Sequence, residues 1–126
     1  PEKTYSKAVM AITPEKLSTI IGELPADLKA QYHAVQSQPM IMEFLPKKLN
    51  KAVGLKALLD HFGDDFSNLM TFGDADNDLE MIEAAAQGIV MENGLPNVKA
   101  VATAITDTND NDGVAKYCER YFATLL

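Results

Sequence analysis

The sequence predicts an α/β fold in two unequal parts, and three observations predict it. From residue 50 onward, segments with helical apolar spacing alternate with short apolar runs, the pattern of a parallel sheet covered by helices on both faces. Before residue 46 the order is strand, helix, strand, strand, which describes a small α+β unit rather than a complete domain. The 47% hydrophobic and 23% charged residues are those of a chain that packs a core, not of a disordered one.

In the first part, residues 6–12 (SKAVMAI) read as a strand. Thr13-Pro14-Glu15 reads as a helix start, with Thr as cap, Pro at the first helical position and an acid in the first turn. Leu17, Ile20, Ile21 and Leu24 follow helical spacing, and Pro25 ends or interrupts that helix. Residues 31–37 and 40–45 read as two strands separated by Gln38-Pro39. The chain divides near Pro46 to Asn50.

In the second part, Asn50 caps a helix carrying Leu55, Leu58, Leu59 and Phe62, with Gly63 as its stop. Residues 68–72 (NLMTF) form a buried-type strand, 76–86 a helix, 88–91 (GIVM) a strand, 96–102 a short helix and 103–106 (TAIT) a strand. A last helix runs from Gly113, with Val114, Tyr117, Cys118, Tyr121 and Leu125 on its apolar stripe.

Charge and composition narrow the classes of function. A net charge of -7 repels polyanions, so general nucleic-acid binding is not expected. A phosphate ligand then needs a metal ion or a local Lys to offset the field. No apolar run approaches the roughly 20 residues that span a bilayer, and residues 1–7 are polar and charged, unlike a signal peptide. The lone Cys118 forms no internal disulfide, which fits a reducing cytoplasm. A chain opening on Pro1 is expected to be processed or cut from a longer polypeptide.

The most informative segment is Thr71-Phe72-Gly73-Asp74-Ala75-Asp76-Asn77-Asp78. A strand ends, a glycine turns and a helix begins within it, and in open parallel sheets ligands bind beyond the carboxyl ends of the strands. Three Asp and an Asn gather there. Hard oxygen ligands in a tight turn suit Mg²⁺, which takes one or two carboxylates and keeps other positions for water and phosphate. The competing reading is that the acids cap the helix and complement its dipole. Lys51 follows the cap Asn50, where a cation is disfavoured by about 0.3–1 kcal/mol. It either shares an anion with the helix end or is an exposed Lys tolerated in solvent. His33 and His61 have no Ser or Cys partner at recognisable spacing, and structural roles are expected for them, as for Cys118.

Together these segments resemble motifs III and IV of the haloacid dehalogenase superfamily. The strings FLPKKLNKAVGLKALL, TFGDADNDLEMIEAA, GIVMENGLPNVKAVA and TNDNDGVAK, from about Phe44 to Lys116, are similar to the C-terminal part of Cof-type sugar phosphatases of the C2B-cap subgroup. The resemblance implies a C-terminal half of that core over residues 46–126, its Rossmann-like parallel sheet being partial. It implies a remnant of a C2-type cap over residues 1–45. It implies a Mg²⁺-dependent phosphatase of small phosphorylated metabolites. Asp74 corresponds to the acidic metal ligand; Asp78 to the second acid, on the metal, its water or Lys51. Lys51 would neutralise phosphoryl oxygens and orient the nucleophile, and Asn77 and Asn93 would touch the phosphate. For Asn93 a plain turn role stays open, and for Asp112 with Gly113 a structural role is expected.

The family's nucleophile is the first Asp of a DxDGT-like motif at the end of the first core strand, and no such motif is read in this sequence. The Ser/Thr of motif II is not identifiable either. The chain alone is therefore expected to be inactive. Ala52 stands where the family usually has Gly, and Glu92 stands where Gly usually precedes the Asn, so a carboxylate is expected to crowd a phosphate there. The strand 68–72, lacking its family neighbour, would be an open apolar edge, and a homodimer or a complementing chain is expected to cover it. A non-catalytic module that assembles with a partner is the alternative.

Overall fold

In a computed structural model, which describes residues 5–125, two three-stranded sheets divide the chain. The first is antiparallel. Its strands β1 (Ala8–Ala11), β2 (Tyr32–Gln38) and β3 (Ile41–Pro46) lie in the order β1-β3-β2. Helix α1 (Pro14–Glu23) links β1 to this hairpin, with Thr13 extended before it and Pro14 at its first position. Leu17 of α1, Val35 of β2 and Met42 of β3 are buried and form the small core of this unit. Lys7 and Glu43 pair at 2.9 Å. The hydrogen bond from Lys7 holds the Glu43 carboxyl below its ordinary range, so this contact weakens as acid protonates the carboxylate.

Residues 26–31 form a six-residue helix, α2 (Ala26–Gln31), over a stretch to which the sequence reading assigned no element before a strand start at Gln31. None of its side chains is buried, so no apolar stripe announces it.

The second sheet is parallel, in the order β4 (Met70–Gly73), β5 (Gln87–Met91), β6 (Ala104–Thr106). Helix α3 (Lys51–Phe62) precedes it; α4 (Leu79–Ala84), α5 (Pro96–Lys99) and α6 (Gly113–Ala123) follow the three strands. The sheet is covered on both faces. Thr71 directs its hydroxyl to the Met81 carbonyl of α4, while the adjacent Phe72 meets the ring of Tyr117 of α6 at 5.8 Å. Neighbouring residues of a strand point to opposite faces, so α4 and α6 lie on opposite sides. Ile82, Val90 and Val98 form the buried cluster on the α4–α5 side, with Leu79, Met81, Val101 and Ala102 around it. Ile89 and Val90 are both fully buried, as a central parallel strand requires. Helix α4 passes so close to β5 that a Cβ on Gly88 would lie 2.1 Å from the Ile82 carbonyl oxygen.

The ends of α3 follow the sequence reading. Asn50 Oδ1 accepts from the Val53 N–H at 2.9 Å, and Gly63, at φ 72°, closes the helix through bonds to Asp60 and Leu59. The helix between these caps has no buried side chain; Leu58 and Phe62 are exposed. β4 is a terminal strand of its sheet, hydrogen-bonded only to β5 among the described residues. Asp112 takes the left-handed conformation at φ 55°, and a Cβ on the following Gly113 would strike the Asp107 carbonyl at 2.1 Å. These two residues therefore shape the entry to α6.

Candidate active site

The turn after β4 folds around one carboxylate. Asp78 is 5% exposed, and both of its oxygens are engaged. Oδ2 accepts from the backbone N–H groups of Asp74 at 3.0 Å and Ala75 at 3.3 Å. Oδ1 accepts from the ammonium of Lys51, 27 residues away on α3. Gly73 is required at the end of β4, because a Cβ there would fall 2.5 Å from the Asp78 Cβ. The helix-cap reading is thus partly realised. Asp78 satisfies the N–H groups that open the turn, and it also brings Lys51 to the carboxyl end of the parallel sheet.

Asp74 is different. Its main chain is held on both sides, by Asp78 at its N–H and by the Leu95 N–H donating to its carbonyl at 2.8 Å. Its side chain is exposed, and among the described residues it makes no hydrogen bond or ion pair. Asp74 shares a cavity of about 300 Å³ with Lys51, Gly73, Asp78 and Asn109. It also borders a cleft of about 500 Å³ with Asp76, Asn93 and the β2–β3 turn, residues 36–39. The antiparallel sheet thus overhangs the turn after β4, and the turn itself, residues 76–78, touches β2.

The remaining candidates are placed as follows. Asn93 borders the larger cleft, and its Oδ1 accepts from the Asn109 N–H at 3.2 Å. Asn77 lies in the same 3₁₀ turn as Asp78 but borders neither cavity. Glu92 is turned toward α5. Lys99 donates to its carbonyl oxygen, the two side chains lie 3.9 Å apart, and Glu92 borders neither cavity. The string Asp110-Asn111-Asp112-Gly113 carries two acids at the spacing of a nucleophile motif, but it forms the entry to α6 and borders neither cavity. His33 lies in a crevice between the sheets, and His61 stacks edge-on against Phe62.

The sequence reading missed two partners of this turn. Asn97 Nδ2 donates to Asp76 Oδ1 at 2.7 Å, and Leu95 supplies the N–H to Asp74. Both belong to the segment that opens α5, about 20 residues from the acids, and neither spacing nor residue type marks a link over that separation.

The set is chemically suited to a cation and a phosphoryl group. Asp74 offers one free carboxylate, and Lys51 offers an ammonium whose side chain is 47% exposed, with donors to spare beyond Asp78. Among the described residues no three His, Cys, Asp or Glu side chains enclose a metal.

Comparison with known proteins places the chain in a family. The haloacid dehalogenase-like hydrolase family matches residues 1–118. The 5-amino-6-(5-phospho-D-ribitylamino)uracil phosphatase YitU of Bacillus subtilis is 43% identical over 83 residues, covering 66% of this chain and 31% of that protein. A haloacid dehalogenase-like hydrolase from Bacteroides thetaiotaomicron superposes with a TM-score of 0.78 at 34% identity, covering 95% of this chain and 45% of that one. The subclass IIB sugar phosphatase BT4131 superposes with a TM-score of 0.78 at 26% identity, over 94% and 44%. The chain spans less than half the length of each.

The unequal engagement of the two acids has a measurable consequence. Asp78→Ala removes the acceptor of two N–H groups and of Lys51, and is expected to cost about 2–3 kcal/mol in urea unfolding. Asp74→Ala removes no intramolecular contact of its side chain and is expected to stay within about 0.5 kcal/mol of the parent.

Proposed function

Because the chain belongs to the Cof-type haloacid dehalogenase-like hydrolases, we propose that it is the C-terminal portion of a Mg²⁺-dependent phosphatase of small phosphorylated metabolites. In this reading residues 1–45 are the end of a cap and residues 46–126 the second half of the core. The observation that carries it is the pairing of Lys51 with Asp78 beside the free carboxylate of Asp74, at the carboxyl end of β4. The phosphatases named above support the reaction class, and the overhanging antiparallel sheet supports a small substrate enclosed between the two units.

In this reading each side chain of the site has its own role. Asp74 would hold the Mg²⁺, which would supply positive charge to offset that on the phosphoryl oxygens. Lys51 donates to a phosphoryl oxygen while Asp78 fixes its ammonium, so the lysine reaches the substrate without searching its rotamers. Asn93, on the far wall of the larger cleft, and Asn77, by rotation into the site, are the further donors in this reading. Among the described residues that border the site, none is assigned as the attacking carboxylate or its acid–base partner.

Calorimetry tests the proposal. Inorganic phosphate is expected to bind the chain only with Mg²⁺ present, and Asp74→Ala and Lys51→Ala are each expected to weaken that binding at least about tenfold. Purified chain is expected to release no phosphate from p-nitrophenyl phosphate. Phosphate binding that is indifferent to Mg²⁺ and to both substitutions would refute the site.

A second reading, a module that assembles with another chain, is favoured by a different observation. β4 ends its sheet, and α3, beside the site, exposes Leu58 and Phe62. An unpaired parallel edge invites strand addition. Light scattering at high micromolar concentration is expected to give twice the chain mass, or to do so once a complementing polypeptide is added; a monomer under both conditions rejects assembly.

A further inference from the structure

We propose that Asn97 is a positioning residue for the Asp74 carboxylate, acting through Asp76; the inference rests on the phosphatase reading above. Three acids occupy five consecutive positions in the turn after β4, and the structure assigns each a different state. Asp78 is buried and engaged, Asp74 is exposed and free, and Asp76 is exposed but bound by Asn97 at 2.7 Å. Left untethered, the Asp76 carboxylate would be free to swing along the cleft it shares with Asp74 and compete for any cation there. The Asn97 amide holds it against the first turn of α5 instead.

The same helix start grips the turn at a second point. The Leu95 N–H donates to the Asp74 carbonyl at 2.8 Å, and the intervening contact is tight. A Cβ on Gly94 would lie 3.2 Å from the Asp74 Cα and 2.7 Å from the Val90 side chain. Asp74 is therefore suspended between two clamps. Asp78 holds it from the α4 side and Leu95 from the α5 side, Asn97 holds the neighbouring Asp76, and among the described residues Asp74 is the one of the three acids whose carboxylate has no hydrogen-bond partner. Val98, the residue after Asn97, is fully buried, so the amide is presented from an anchored helix. A partner outside the ligand shell that orients a ligand in this way typically contributes tenfold or more to metal affinity.

Two measurements on the full chain test this, one of them independent of metal. Amide hydrogen exchange at Leu95 reports the α5 clamp, and Mg²⁺ titration calorimetry reports the ligand. Asn97→Ala is expected to speed Leu95 exchange about fivefold or more and to weaken Mg²⁺ about tenfold, with little change in melting temperature; Asp76→Ala is expected to speed the exchange alike but, having no carboxylate left to compete, to weaken Mg²⁺ less than Asn97→Ala does. Asp76→Asn keeps an acceptor for Asn97 while removing the charge, and is expected to leave both readouts within about twofold of the parent. Asn97→Asp, which sets two carboxylates face to face, is expected to behave like Asn97→Ala, and pairing it with Asp76→Asn is expected to restore the exchange rate.

Unchanged exchange and unchanged Mg²⁺ affinity in Asn97→Ala would overturn the proposal. So would a loss of affinity in Asp76→Asn as large as that in Asp74→Ala, since Asp76 would then act by its charge. No Mg²⁺ heat from the parent, or a heat untouched by Asp74→Ala, counts against the phosphatase reading instead, and the Leu95 exchange rate then decides the clamp alone.

Discussion

The site depends on one buried carboxylate. Asp78 is the point at which three pieces of chain meet: the end of β4, the start of α4 and the first turn of α3. A carboxylate that is 5% exposed is costly to bury without partners, and here it has three donors. Two of them are N–H groups that the turn must satisfy in any case. The third is a charged amine that the helix N-terminus disfavours on its own account. The carboxylate resolves both problems at once, and it leaves the spatially adjacent Asp74 without an internal task.

The fold frames this arrangement more than it determines it. A parallel sheet gathers the ends of β4, β5 and β6 on one side, and the loops that follow them contribute Asp74, Asn93 and Asn109 to a shared rim. Close approaches at Gly73, Gly88 and Gly113 pull the helices onto the strands. The antiparallel sheet closes the space from above with the polar turn of residues 36–39.

Much of this was legible in the sequence. Helix α3 was readable from both ends, because Asn50 and Gly63 are chemically specific caps and the structure uses each as such. The three parallel strands were readable from short apolar runs, and the family from four strings in order. The boundaries were softer. The helix expected over residues 76–86 is split into a 3₁₀ turn and α4, because Asp78 turns its side chain back onto Asp74 and Ala75. Helix α2 went unseen because it buries nothing. Within the site, residue types pointed to Lys51, Asp74 and Asp78, whose chemistry is unusual where it stands. Asn97 and Leu95 act through a backbone and an amide some 20 residues away, and such contacts leave no periodic mark.

Helix α3 has a consequence of its own. It carries the lysine of the site, yet between its two caps it sinks no side chain into the interior. Segments with so few interior contacts detach at a small fraction of the free energy needed to unravel the whole molecule. The cationic half of the pocket therefore rides on a loosely moored element, while the acidic half stands on the sheet. Leu58 and Phe62, seven and eleven residues on, share the helix face of Lys51, so a ligand that fixes the ammonium would also steady this exposed apolar stripe.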